Sequence, residues 1–275
     1  MPKDIDLKSK KKIFRPLFNN KSKNILLKNN KKPFSFISIL PNMTTLFAMC
    51  CGLTAIRFAL LGMWKYSILC IMLSAILDAM DGRLARYLKM SSRFGAELDS
   101  FSDFLSFGVA PSLIIYIKYL KPWGEIGWVI SVFFTMCMAL RLARFNVMSL
   151  DESQPVWKSF FFTGVPAPLG GFLAIYPIIL SYTFDESIIS PVIAAFFLSL
   201  TGSLMVSQIP TFSLKKLTFK PSVVLPFILF SFITVGLLFS YPWQTLSAVG
   251  IIYLLSIPFS MRKFKKLEQQ DLQTS

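Results

Sequence analysis

Five of the 14 acidic residues in this chain fall within 26 positions: Asp78, Asp81, Glu97, Asp99 and Asp103. Three of them are bracketed by strongly apolar sequence, as in Ala75-Ile76-Leu77-Asp78 and Phe101-Ser102-Asp103-Phe104-Leu105. A lone carboxylate at the centre of a bilayer costs about 2.5–3.5 kcal/mol on insertion scales. Towards the end of a span the cost is lower, but nothing about a helix requires an acid there, so a functional site is the default reading. Asp78 and Asp81 are three apart and share a helix face, and Asp99 and Asp103, four apart, share another. A short basic connection joins the two segments, so the helices run antiparallel and four carboxylates can converge at one depth. Charges so close repel strongly at low dielectric. Divalent cations remove that repulsion, and an all-oxygen donor set with water favours Mg²⁺ or Mn²⁺.

The residues between the aspartates extend the site. Gly82 and Ala85 are small and lie beside the acidic face. They allow a flat ligand to approach the helix backbone. Arg86 follows Asp81 by about one turn and can hold a phosphate through two hydrogen bonds. Gly95 opens the next helix one turn before Asp99. Metals, a phosphate-binding Arg and a notch for a flat ligand together suggest a nucleotide diphosphate.

The pattern Asp78-x2-Asp81-Gly82-x2-Ala85-Arg86-x8-Gly95-x3-Asp99-x3-Asp103 resembles the signature of the CDP-alcohol phosphatidyltransferases at every fixed position. Three further stretches are similar to those of the bacterial phosphatidylserine synthases within that family: Ser106-Phe107-Gly108-Val109-Ala110-Pro111, Arg141-Leu142-Ala143-Arg144-Phe145-Asn146 and Phe162-Thr163-Gly164-Val165-Pro166-Ala167-Pro168. The resemblance covers about residues 37–261. It implies CDP-diacylglycerol and an alcohol, here L-serine, as substrates, with phosphatidylserine and CMP as products. It also implies that Asp78, Asp81 and Asp99 bind metal, that Asp103 is the base and a further metal contact, and that Gly82, Ala85, Arg86 and Gly95 lie along the cytidine diphosphate. A homodimer in the bacterial cytoplasmic membrane is the implied assembly. Another acceptor, such as glycerol 3-phosphate, inositol phosphate or choline, is the alternative within the family.

The elements that must position these residues are membrane helices. Of the 275 residues, 54% are apolar, and the mean hydropathy is +0.58. That composition fits a polytopic, all-α membrane bundle. Eight apolar stretches are long enough to span: roughly 43–62, 65–82, 97–119, 126–146, 164–183, 188–207, 222–241 and 244–261. Pro166, Pro168 and Pro191 interrupt the fifth and sixth. Alternate connections are basic, with Arg83, Arg86, Lys89 and Arg93, then Arg141, Arg144 and Lys158, then Lys215, Lys216 and Lys220. The positive-inside rule therefore puts both termini and the acidic cluster on the cytosolic side. The predicted organisation is a basic cytosolic arm over residues 1–33, a transmembrane domain over 34–261 and a cytosolic tail over 262–275.

Composition also excludes chemistry. With no histidine and 29 Lys+Arg, the chain has no Ser-His-Asp triad, no HExxH zinc site and no His base. Cys50, Cys51, Cys70 and Cys137 lie in apolar runs without metal-ligand spacing and read as small buried hydrophobes. The arm holds 11 of the basic residues. Beside a membrane domain it reads as attracted to anionic lipid headgroups, or as a topology signal, rather than as a nucleic-acid binder. A cation transporter would need a polar path through the other half of the membrane, and no such path is visible.

An amino-acid acceptor needs a cation for its carboxylate. Arg141, Arg144 and Asn146 lie at the cytosolic end of the fourth span and are the serine-binding candidates; the alternative is that they set topology and meet lipid phosphates. Asn42 begins the first span on the same side. It reads either as part of the nucleotide pocket or as a helix cap.

Overall fold

The computed structural model describes residues 40–88, 92–148, 161–184, 189–212 and 221–274. The contacts divide the chain into Met1–Ile39 and Leu40–Ser275, and every described residue belongs to the second unit. The basic arm lies outside the described residues, as do Lys89, Lys158, Asp185, Glu186, Lys215, Lys216 and Lys220.

The described chain is helical except for one short strand pair. Helix α1 is Leu40–Leu60 and α2 is Trp64–Tyr87. The long α3 runs over Arg93–Trp123, and α4 is Glu125–Met148. Strand β1, Phe161–Thr163, leads into α5, Ala167–Ala174, and α6, Tyr176–Thr183. Then come α7, Pro191–Val206, β2, Pro210–Phe212, α8, Pro221–Ser240, and α9, Pro242–Thr274. Apolar helices stand at each expected span. Four are long and apolar enough to cross a bilayer: Leu40–Leu60, Arg93–Trp123, Glu125–Met148 and Pro242–Lys265. At about 1.5 Å rise per residue, the 21 residues of α1 cover about the 30 Å of a hydrocarbon core. Helix α2 falls outside that set because it carries Asp78, Asp81, Arg83 and Arg86.

Local sequence explains the ends and breaks. Ser92 caps α3, its Oγ accepting from the Gly95 backbone N–H at 3.0 Å. Pro177 lies at the start of α6, and the expected fifth span is accordingly two eight-residue helices meeting at Ile175. Ser190 caps α7 with Pro191 in its first turn. The β1–β2 pair is antiparallel, with Phe162 opposite Thr211. It was not among the elements expected from the sequence, since three-residue strands carry too few positions to show alternation. Beyond residue 261, α9 continues as helix through the tail.

Helix α1 is the scaffold of the bundle. Buried hydroxyls on its neighbours donate to its carbonyls: Ser67 to Ala55 at 2.8 Å, Ser74 to Ala48 at 2.9 Å, Ser102 to Thr45 at 3.1 Å and Ser106 to Ala48 at 3.3 Å. Ser67 and Ser74 lie on α2, and Ser102 and Ser106 on α3, so both aspartate-bearing helices are pinned to one partner. Such close approach needs small residues. A Cβ on Gly52 would collide with Ser106, side chain and backbone alike. Elsewhere the core is apolar, built around Phe107, Phe134, Met138, Ile114, Leu173 and Tyr176, each essentially fully buried. Helix α8 differs. Phe230, Phe232, Ile233 and Phe239 are all exposed, an apolar surface that suits acyl chains rather than water.

Helix α9 meets α6 at Gly250, where a Cβ would overlap the Tyr176 ring. That ring cannot retreat, because Tyr176 is buried and its hydroxyl donates to the Ser247 carbonyl at 2.6 Å. Gly250→Ala is therefore expected to destabilise the protein by about 1–3 kcal/mol through overpacking, read as a lower unfolding temperature in detergent. An unchanged temperature would mean that the α6–α9 contact is slack.

Candidate active site

The acidic centre is assembled from two helices. Asp78 comes from α2, and Asp99 and Asp103 come from successive turns of α3. One carboxylate oxygen from each lies within 4.8 Å of the other two. Asp103 Oδ1 is buried and accepts no hydrogen bond among the described residues. The charges acting on Asp103 are Asp78, Asp99 and, with opposite sign, Arg141. A buried carboxylate oxygen without a donor, facing two more carboxylates, is an unfavourable arrangement for the bare protein. The same donor set suits a hard divalent cation. Directly after Asp103 the helix widens into a π-helical segment, Phe104–Val109. Such segments recur at functional sites, and here it shifts the register of α3 just past the last aspartate.

Asp81 points to the neighbouring pocket. It is 4% exposed and accepts from Thr45 Oγ1 at 2.6 Å. The three-oxygen cluster does not include it, although Asp99 borders both spaces. The pocket, of about 180 Å³, is lined by Asn42, Asp81, Gly82, Ala85, Arg86, Gly95 and Asp99, among others. A Cβ on Gly82 would meet nothing within 4 Å, so a larger side chain there would occupy the pocket itself. A Cβ on Gly95 would press on Asn42 Oδ1. Asn42 lies within the first turn of α1, past its Leu40 start, and lines the pocket rather than capping the helix. Thr45, like Pro41, Ser92 and Ala96, is a pocket residue that sequence reading missed. It pairs with an aspartate 36 positions away, and no local spacing signals that.

The three candidates at the end of α4 separate. Arg141 is buried; its Nε donates to the Val165 carbonyl at 2.7 Å, and its guanidinium lies 6.0 Å from the Phe145 ring centre. Asp103 and Asp78 both act on it electrostatically. Arg144 instead caps a helix. Its Nη1 donates to the Val206 carbonyl at 2.6 Å, and its Nη2 lies 3.1 Å from those of Thr163, Met205 and Ser207. Three of those carbonyls belong to the C-terminal end of α7, where intrahelical donors run out. Asn146 Nδ2 donates to Ser100 Oγ at 3.0 Å, tying α4 to α3 beside Asp99.

Comparison with known proteins bears directly on this geometry. A sequence model of the CDP-alcohol phosphatidyltransferases matches residues 38–255, a range holding every residue named above. The chain belongs to the CDP-alcohol phosphatidyltransferase family. Similar curated proteins include the CDP-diacylglycerol–serine O-phosphatidyltransferase of Mycobacterium bovis, 36% identical over 85% of this chain and 82% of that protein. The enzyme of that name from Helicobacter pylori is 33% identical over 81% of this chain and 91% of its own. That from Bacillus subtilis is 34% identical over 66% of this chain and 93% of its own. Members of the family generally use a divalent metal, which agrees with the carboxylate cluster.

Two outcomes follow for this phosphatidyltransferase-family site. Asp78→Asn removes one of three clustered carboxylates. Mn²⁺ affinity, followed by electron paramagnetic resonance, is expected to weaken at least about tenfold, while the chelator-treated protein unfolds at a higher temperature because a repulsion is gone. Unchanged Mn²⁺ affinity would place the ion elsewhere. Arg144→Ala strips four carbonyls of a charged donor and is expected to cost at least about 1.5–3 kcal/mol of stability. Arg144→Lys should recover little of it, because a single ammonium cannot fork between carbonyls. Full recovery by Lys would reduce the role of Arg144 to charge alone.

Proposed function

We propose that this protein transfers the phosphatidyl group of CDP-diacylglycerol to the hydroxyl of L-serine, giving phosphatidylserine and CMP. The observation that carries the acceptor is the naming of relatives 33–36% identical over most of the chain as CDP-diacylglycerol–serine O-phosphatidyltransferases. The buried Arg141 beside the acidic centre adds to it, since an amino-acid acceptor brings a carboxylate that needs a cation.

The pocket between α1, α2 and α3 takes the cytidine diphosphate. Arg86 holds a phosphate, Asn42 meets the nucleotide, and the bare backbone at Gly82, Ala85 and Gly95 leaves room for it. When held by Asp78, Asp81, Asp99 and Asp103, Mg²⁺ or Mn²⁺ supplies neutralisation of the diphosphate charge and so makes CMP a better leaving group. Arg141 orients the acceptor through its carboxylate. Asp103 takes the serine hydroxyl proton as the serine oxygen bonds to the phosphorus bearing diacylglycerol, and the bond from that phosphorus to CMP breaks. Arg144 and Asn146 hold the end of α4 so that Arg141 faces Asp103. Direct displacement suits a chain that has no histidine to form a phosphoenzyme. The basic connections support an active site on the cytosolic face of a bacterial cytoplasmic membrane. The exposed apolar helix faces are compatible with a homodimer.

Membranes containing the protein, given CDP-diacylglycerol, Mn²⁺ and labelled L-serine, are expected to incorporate label into lipid and release CMP. Asp103→Asn should lower that rate by about 10²–10⁴-fold while the protein stays folded and inserted. Near-normal turnover in the variant would sink Asp103 as the base. CMP release with glycerol 3-phosphate, inositol phosphate or choline, and not with serine, would move the acceptor and keep the metal site.

A further inference from the structure

Tyr253 lies in α9, remote in sequence from every residue assigned above, and no motif marks it. Its hydroxyl is buried and makes no hydrogen bond among the described residues. Buried polar groups are normally paired, so an orphaned phenol oxygen calls for an explanation. The groups around it are informative. Thr211 is close enough to the phenol to act on it as a polar neighbour, but it falls outside hydrogen-bonding geometry, and its own proton goes to the Gly164 carbonyl at 2.8 Å. Arg141 also acts electrostatically on Tyr253, and among the described residues it hydrogen-bonds only through Nε, to Val165. Arg141 and Asp103 attract one another without forming an ion pair among the described residues. Arg141 therefore links two buried oxygens with unused hydrogen-bonding capacity, since Asp103 and the Tyr253 hydroxyl both lie in the field of its guanidinium.

Helix α9 is also held firmly on both sides of Tyr253. One turn earlier Gly250 is pressed against Tyr176, and Ser247 Oγ shares a 2.7 Å hydrogen bond with Thr183 Oγ1. Three turns later Phe264 meets Phe161 of β1 edge-on, with ring centres 5.3 Å apart. A side chain fixed by its own supports, with its polar tip unused, is preorganised for a ligand. The missing partner must accept from the phenol and sit beside a guanidinium, which describes an anionic oxygen.

We infer that Tyr253, together with Arg141, binds the carboxylate of the amino-acid acceptor and makes this site prefer an amino acid over an uncharged alcohol. The inference rests on serine as the acceptor. Tyr253 is a specificity residue: it grips the end of the substrate opposite the reacting hydroxyl, which points to Asp103. A site built to hydrogen-bond its substrate discriminates strongly once the bond is required.

The test uses the full-length protein and Tyr253→Phe at saturating CDP-diacylglycerol and Mn²⁺. Because the hydroxyl has no hydrogen bond to lose among the described residues, the variant should unfold at a temperature no lower than the wild type. Its KM for L-serine should rise about tenfold to a hundredfold, the value expected for one hydrogen bond to a charged group, with the KM for CDP-diacylglycerol unchanged. Inhibition by L-alanine, which keeps the carboxylate and lacks the hydroxyl, should weaken by the same factor. An unchanged serine KM in a variant that incorporates serine overturns the assignment of Tyr253 alone. A raised serine KM with unaltered L-alanine inhibition overturns the carboxylate contact. Failure of the wild type to incorporate serine at all overturns the acceptor reading, and this inference with it.

Discussion

The molecule is organised around a repulsion. Asp78, Asp99 and Asp103 bring carboxylate oxygens within 4.8 Å of one another, and Asp103 carries a buried oxygen with no donor among the described residues. In an apolar bundle that arrangement costs free energy, and the rest of the fold must supply it. Stability given up at a site is a common signature of function. Here the cost is met by an ordinary helical core and by hydroxyls spent on backbone carbonyls. The same repulsion makes the centre a receptor for positive charge.

Holding three like charges together requires that their helices cannot slide apart. Helix α1 does this without any charge of its own near the site. It accepts from Ser67 and Ser74 on α2 and from Ser102 and Ser106 on α3, and Thr45 supplies a hydroxyl to Asp81. In a low-dielectric interior the serine-to-carbonyl hydrogen bonds, made between neutral groups, fix register without adding to the charge problem. The pocket proposed for the nucleotide then opens at the end of α1, lined by Asn42, Thr45, Gly82, Arg86 and Gly95.

The far side of the centre is built from different parts. Arg144 closes the end of α7 and joins it to β1, which leaves Arg141, one turn earlier, as the cation that Asp103 attracts. Two arginines at helical spacing thus carry separate loads: Arg144 binds four carbonyls, and Arg141 binds one and lies in the field of the acidic centre. Helix α9 completes this side, packed by Gly250 against Tyr176, and brings into the field of Arg141 a phenol with no hydrogen bond among the described residues. Donor and acceptor substrates would accordingly be held by different helices on either side of one acidic centre.

The sequence by itself determined the helices and the identity of the acidic centre. Apolar runs of span length carry their own signal, because each must satisfy its backbone internally. The four aspartates, with Gly82, Ala85, Arg86 and Gly95, lie on two adjacent helices at spacings that local periodicity can read. What only the tertiary structure decided are contacts between residues far apart in the chain. Those include the partnering of Thr45 with Asp81, the π-helical step after Asp103, the β1–β2 pair, the division of labour between Arg141 and Arg144, and the approach of Tyr253. Periodicity reports which face a side chain occupies and says nothing about which carbonyl, carboxylate or hydroxyl waits on the neighbouring helix. That is set by how closely the helices pack, and so by Gly52, Gly250 and the buried serines acting together.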